Sequence, residues 1–283
     1  MKFGRVIYFL IVSLFFALGL SGGVLSRFDI NGVSGSLNDY GQFNNDLSFN
    51  NNPVSVGNAD SKSVELGYVR FYNSSGYNLN AFNLNTAINL DYLKAGVSLG
   101  FFLDSDDVVS YNEVQMRIAF ASDYLISQYI KNLMVGVGTY FTLENLNVDS
   151  SENASEYKDT DFNLDGGVSY FIRQLKFSVG VKSLLDNPYF IGGIGYKFSR
   201  ISVVGVSLKY ADLKTDLSIG FSNSIIDDIL NLYFGVNRYK VSTSIDFRMF
   251  AGMVKTGKMF FNYTFNYNFL LADTHYLSVK YEF

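Results

Sequence analysis

Leu277-Ser-Val-Lys-Tyr-Glu-Phe283 ends the 283-residue chain, and its alternation decides how the rest is read. Successive side chains of a strand point to opposite faces, so Leu277, Val279, Tyr281 and Phe283 share one face. Ser278, Lys280 and Glu282 share the other. The same period of two recurs upstream. Met259, Phe261, Tyr263, Phe265 and Tyr267 alternate with Asn262, Thr264, Asn266 and Asn268, and Val241, Thr243, Ile245, Phe247 and Met249 with Ser242, Ser244, Asp246 and Arg248. Leu175, Phe177, Val179 and Val181 alternate with Lys176, Ser178, Gly180 and Lys182. Val204, Val206, Leu208 and Tyr210 alternate with Gly205, Ser207 and Lys209, and Ala95, Val97, Leu99 and Phe101 with Lys94, Gly96, Ser98 and Gly100.

Alternation alone does not separate a soluble sandwich, whose apolar face is the core, from a barrel whose apolar face meets lipid. Three features favour the barrel. Many segments run ten residues or more, near the ~9–11 that a tilted membrane-crossing strand needs. The minority face is Gly, Ser, Asn and Thr more than charge. Aromatics gather at strand ends, as at Tyr140-Phe141, Tyr170-Phe171 and Phe101-Phe102, as interfacial girdles require. The chain carries 27 Phe and 21 Tyr, and only two prolines, Pro53 and Pro188, which suits long unbroken strands because Pro cannot donate to a ladder.

The expected fold is all-β: a closed antiparallel transmembrane β-barrel of about fourteen strands, twelve being the alternative. Closure follows because an open edge in hydrocarbon leaves N–H and C=O groups unpaired. The expected strands are 62–72, 83–91, 93–103, 110–122, 132–145, 160–171, 174–184, 189–198, 201–211, 214–223, 229–238, 240–249, 257–268 and 274–283. An even number puts both barrel ends on the periplasmic side. The acidic stretch Asp149 to Asp159 is then an external loop, and the connections at Arg173 and Ser199-Arg200 are tight periplasmic turns. Ala251 to Thr256 is long for such a turn, and Ser122 to Lys131 has no clean period.

The ends agree with export. Lys2 and Arg5 precede an apolar run, Val6 to Leu20, and small residues Gly19, Ser21, Gly22 and Gly23 follow, so residues 1–21 read as a signal peptide. Residues 22–61 form an Asn/Gly-rich segment that is either a linker or a plug inside a polar lumen, and 62–283 is the barrel. Formal charge is −4, which becomes about −6 once Lys2 and Arg5 leave with the signal. No basic patch exists to neutralise phosphates, so nucleic acid is not a partner. Without Cys there is neither a disulfide framework nor thiolate chemistry.

Enzyme chemistry is not expected. His275 is the only histidine, no HExxH pattern or Cys pair occurs, and no neighbour in sequence suggests a partnered imidazole. It reads as a rim residue. Neither a cofactor nor a metal is expected. The acidic stretches Asp104-Ser-Asp-Asp107 and Asp149 to Asp161 lack a fixed ligand spacing and read as solvated loops. Lys94, Lys176, Lys182, Lys209, Asp216, Asp246, Arg248, Lys280 and Glu282 fall on polar faces and are the lumen candidates. Charge inside a barrel needs water or a partner. These residues make either a weakly cationic filter or a salt-bridge filling, and the sequence leaves both open.

The terminal set Leu277, Val279, Tyr281 and Phe283 resembles the C-terminal recognition signal of bacterial outer-membrane barrels. It implies the barrel-assembly machinery and outer-membrane lipid as partners. Asn52-Pro53, then Val64-Glu-Leu-Gly-Tyr68, with Phe177-Ser-Val-Gly-Val-Lys182 and Leu217-Ser-Ile-Gly-Phe-Ser222, resemble FadL-type outer-membrane transporters, and more closely their PorV/PorQ-like branch. That branch carries Asn-Pro-Ala where this chain has Asn52-Pro53-Val54. The resemblance implies a channel in the bacterial outer membrane, partly blocked by the N-terminal segment through Asn52 and Pro53, passing small or hydrophobic solutes. Within the branch it implies the alternative of a non-transporting scaffold subunit of a secretion or envelope system, with exported proteins as partners.

Overall fold

The computed structural model describes Asn50 and residues 52–59, 62–71, 79–105, 109–127, 129–150, 153–186, 188–200, 202–211, 214–226, 230–237, 240–249, 258–268 and 272–283. The expected signal peptide, all of 22–49 and the connection Ala251 to Thr256 lie outside these residues.

The strands are β1 (Ser63–Phe71), β2 (Leu79–Leu90), β3 (Leu93–Ser105), β4 (Val109–Ser122), β5 (Leu133–Ser150), β6 (Asn153–Ile172) and β7 (Leu175–Lys182). They continue with β8 (Tyr189–Lys197), β9 (Ser202–Ala211), β10 (Lys214–Ile226), β11 (Leu230–Asn237), β12 (Lys240–Met249), β13 (Lys258–Asn268) and β14 (Ala272–Glu282). Each pairs antiparallel with its sequence neighbours. β1 also pairs with β14 over Ser63↔Glu282 to Arg70↔His275, so the strand pairings run in a ring. The wall is not uniform in height. The β6–β7 ladder stops at Gly166↔Val181, whereas β5–β6 continues for thirteen residues of β6 beyond it, to Ser150↔Asn153.

Tight turns join several strands at the end of the barrel that holds Ser63 and Glu282, called here the proximal end. Asp91-Tyr92 and Arg173-Gln174 are two-residue turns whose first residues have φ of 40° and 52°. Such primed turns match the right-handed twist of the strands they join. The stretch Ser122 to Lys131, which showed no period, contains a one-turn helix, α1 (Tyr124–Ser127).

The apolar face of the alternation points outward. Leu66 is 61 % and Leu277 50 % exposed, and Phe82, Val179, Phe190, Ile219 and Phe234 are exposed with them. A continuous apolar exterior of this kind suits hydrocarbon and not water. Inward positions are Gly, Ser, Asn, Thr and charge. Residues Asn52–Ala59 lie among them, with a 3-10 helix over Pro53–Asn58 that packs against β3, β4, β5 and β6. Asn52 caps this helix: its side chain accepts from the Val54 N–H at 3.2 Å, and Pro53 takes the first helical position, where no N–H is needed.

One expectation fails clearly. The acidic stretch Asp149 to Asp159, read as loop, is strand in β5 and β6 wherever it is described, with partners such as Asn145↔Lys158 and Glu144↔Asp159. Backbone ladder bonds do not depend on side-chain polarity, and beyond the apolar belt both faces of a strand can meet water. Polar composition therefore hid a hairpin. β2 likewise begins at Leu79, four residues before the expected strand 83–91.

Candidate functional site

The interior between β3 and β7 is shaped to receive the chain's own backbone. Gly136 and Gly138 on β5 and Gly167 on β6 point inward. A Cβ at Gly136 would stand 2.5 Å from the Val54 backbone, and one at Gly167 would stand 2.2 Å from the Asn52 Oδ1. Val54, Val56 and Ala59 are buried there, the latter two with Ala87, Ala119 and Ala121. Absent side chains on the wall make room for present ones on the segment.

Cations fasten the segment, chiefly through its main-chain carbonyls. Arg117 Nη1 and Lys182 Nζ (2.7 Å) both donate to the Asn50 carbonyl. Lys94 Nζ donates to the Gly57 carbonyl at 2.5 Å, and Lys176 Nζ reaches Asn58 Oδ1 at 3.5 Å. Asn50 Nδ2 donates to Ser98 Oγ at 3.3 Å. Arg117, 2 % exposed, also lies 5.0 Å over the Tyr140 ring and 3.7 Å from the Asp165 carboxylate. Asp165 Oδ1 accepts from the Ser183 N–H (3.0 Å), whose hydroxyl meets the Tyr140 OH at 2.7 Å. A buried charge is tolerated when it is paired and hydrogen-bonded. Here the partners come from β4, β5, β6, β7 and the segment together.

At the far, distal end two different surfaces meet. Val69, Phe71, Ala81, Phe102 and Tyr276 form an inward apolar cluster with Leu79 and Tyr111 against it. Ring centroids are 5.9 Å apart for Phe71–Phe102 and for Phe102–Tyr111. Beyond Tyr111 the wall turns acidic: its hydroxyl donates to Glu113 Oε2 at 2.9 Å, and Glu144 and Asp159 follow across β5 and β6.

The lumen candidates divide into groups. Lys94, Lys176 and Lys182 converge on the segment. Lys209 lies 4.6 Å over the Tyr189 ring, which Lys182 also approaches at 5.7 Å, and Asp216 stands opposite Lys209 in register. Lys280 pairs with Glu282 at 3.0 Å and lies over the Phe260 ring. Asp246 and Arg248 occupy β12 opposite Asn262 and Phe260; their side chains lie outside the described residues. Leu277 and Phe283 are exposed on the outer face, Val279 and Tyr281 share its alternation, and the Phe283 N–H bonds the Lys62 carbonyl at 2.9 Å.

His275, read as lacking a partner, has two. Its ring nitrogens meet the Tyr263 OH at 2.8 Å and Asp273 Oδ2 at 2.6 Å. The partners sit across the β13–β14 ladder and two residues away, a spacing that brings side chains together only in a strand. Sequence reading also missed Asn50, Glu113, Arg117, Tyr140, Asp161 and Asp165. For Glu113, Arg117, Asp161 and Asp165 the signal was present in Tyr111-x-Glu113-x-Gln115-x-Arg117 and Asp161-x-Asn163-x-Asp165, two polar runs at period two.

These features define an antiparallel barrel with an apolar exterior and a chain segment packed against its inner wall. Among solved structures the fold is similar to the CymD monoaromatic hydrocarbon channel (12 % identity, 90 % of this chain and 99 % of that one, TM-score 0.63). It is similar also to the Ralstonia pickettii toluene transporter TbuX (8 %, 91 % and 98 %, 0.62) and the Pseudomonas putida toluene transporter TodX (12 %, 93 % and 98 %, 0.59). The likeness shows a barrel fold shared with these channels and gives no support to the PorV/PorQ-like branch. No family model and no curated protein matches the chain.

Proposed function

We propose that the protein is a passive channel of the bacterial outer membrane for small hydrophobic solutes, blocked in its resting state by its own segment Asn50–Ala59. The carrying observation is the vertical order inside the barrel. The aromatic cluster of Phe71, Phe102 and Tyr276 lies at the distal end, and the fastened segment lies on the proximal side of it. Concave apolar surface with a few polar groups is the usual form of a small-molecule site. The similar barrels are a hydrocarbon channel and toluene transporters, and the exterior here suits the same environment.

The burial of Arg117 and Lys182 against the Asn50 carbonyl favours a second reading, in which the interior stays sealed and the barrel serves as an envelope scaffold. Conductance in planar lipid bilayers, with and without residues 27–60, separates the two. Discrete steps that appear or grow on deletion, together with toluene uptake into proteoliposomes, are the outcome expected of a plugged channel. Silence from both forms would end the transport reading and leave the scaffold.

A further inference from the structure

We propose that the acidic rung at the distal end of β4, β5 and β6 is a binding site for a hydrated divalent cation, with Mg2+ the best match. Glu113 stands directly opposite Glu144, and Glu144 directly opposite Asp159, so three carboxylates share one rung across three neighbouring strands. Cβ atoms of such partners lie about 5 Å apart, and like charges placed so destabilise a sheet. All three positions fall on the inward face of the alternation, and Glu113 is 1 % exposed.

The second observation is Asp161, one inward position nearer the proximal end on β6. It is 1 % exposed, and no side chain hydrogen-bonds either of its carboxylate oxygens, which have only the Phe162 backbone N–H beside them to favour the charged form. Asp186, Glu144 and Asp159 all act on it electrostatically. Its register partner is Thr142, whose hydroxyl receives the Gln115 amide, so the residue across from it supplies no positive charge. Arg117 is directed to Asp165 and the Asn50 carbonyl. A buried carboxylate among others of its kind calls for a counter-ion.

Among the described residues no three acidic or histidine side chains are grouped to hold a metal ion directly. An ion that keeps its water fits such spacing, and Mg2+ dehydrates reluctantly and is commonly held through its waters. The site needs no solute passage, so it stands or falls apart from the channel reading.

The test uses the full-length barrel in detergent, with heat-modifiable gel mobility as the check on folding. Thermal unfolding is followed against Mg2+, and against cobalt(III) hexaammine, which mimics a hydrated ion but cannot be ligated directly. Both are expected to raise the melting temperature saturably. D161N and E144Q should weaken that response at least tenfold, while E156Q, exposed on the same hairpin, leaves it unchanged. In EDTA, E144Q should melt higher than the parent because it relieves repulsion. A parent that ignores both ions, or variants that respond like the parent, would overturn the site. So would an E144Q that melts lower in EDTA, since the rung would then already be neutralised from within.

Discussion

The wall from β3 to β7 and the wall from β8 to β11 obey the same alternation and do opposite things with it. Both place glycine inward. On β5 and β6, Gly136 and Gly167 admit the backbone of Val54 and the side chain of Asn52, and Arg117, Lys182, Lys94 and Lys176 close on the segment. On β8 to β11 the inward Gly195, Gly205, Gly220 and Gly235 stand in one register rung. There the cation Lys209 is occupied with Tyr189. Small inward residues thus make space, and the placement of charge decides what fills it.

The comparison breaks most readily at Arg117. R117M should destabilise the barrel by about 3–5 kcal/mol, because Asp165 is left buried without its cation. Chemical unfolding in detergent, followed by circular dichroism, reads the loss; a change under 1 kcal/mol would mean that Arg117 does not anchor this wall. Overpacking is the next lever. G136L drives a side chain into Val54 and should cost about 1–3 kcal/mol, or expel the segment and expose it to protease. G205L on the other wall should leave the proteolysis of residues 50–59 unchanged. If both variants cut alike, the two walls do not differ as described.

Smaller effects sharpen the contrast. K94M removes a charged donor from the Gly57 carbonyl at a half-buried site, with an expected cost of about 1 kcal/mol and faster hydrogen exchange in residues 54–58. K209M should shift stability by under about 0.5 kcal/mol and leave that exchange untouched, since its ring partner is on β8. Accelerated exchange in K209M would show that the two walls are coupled through Tyr189.

Much of the architecture was legible in the sequence because period two reports a face directly. Lys94, Lys176 and Lys182 were placed inward from their neighbours alone. What stands opposite an inward residue was not legible. The partners of the Asn50 carbonyl are 67 and 132 residues away, and no local pattern encodes such a distance. The β5–β6 hairpin was lost for another reason. Outside the apolar belt both faces of a strand are polar, so Glu156, Tyr157 and Lys158 look like loop while their backbones pair as strand. That error also concealed the acidic rung, whose members come from three strands and become neighbours only in register.

The fastening of the segment at Asn50 and Gly57 through carbonyl oxygens has a consequence for its history and its use. Every residue type offers the same carbonyl, so those grips read the course of the chain and not its letters. The segment is therefore free to change its side chains wherever the wall leaves room. The barrel behaves as a socket into which an engineered strap of different sequence, with glycine kept where Met134 crowds position 57, could be seated.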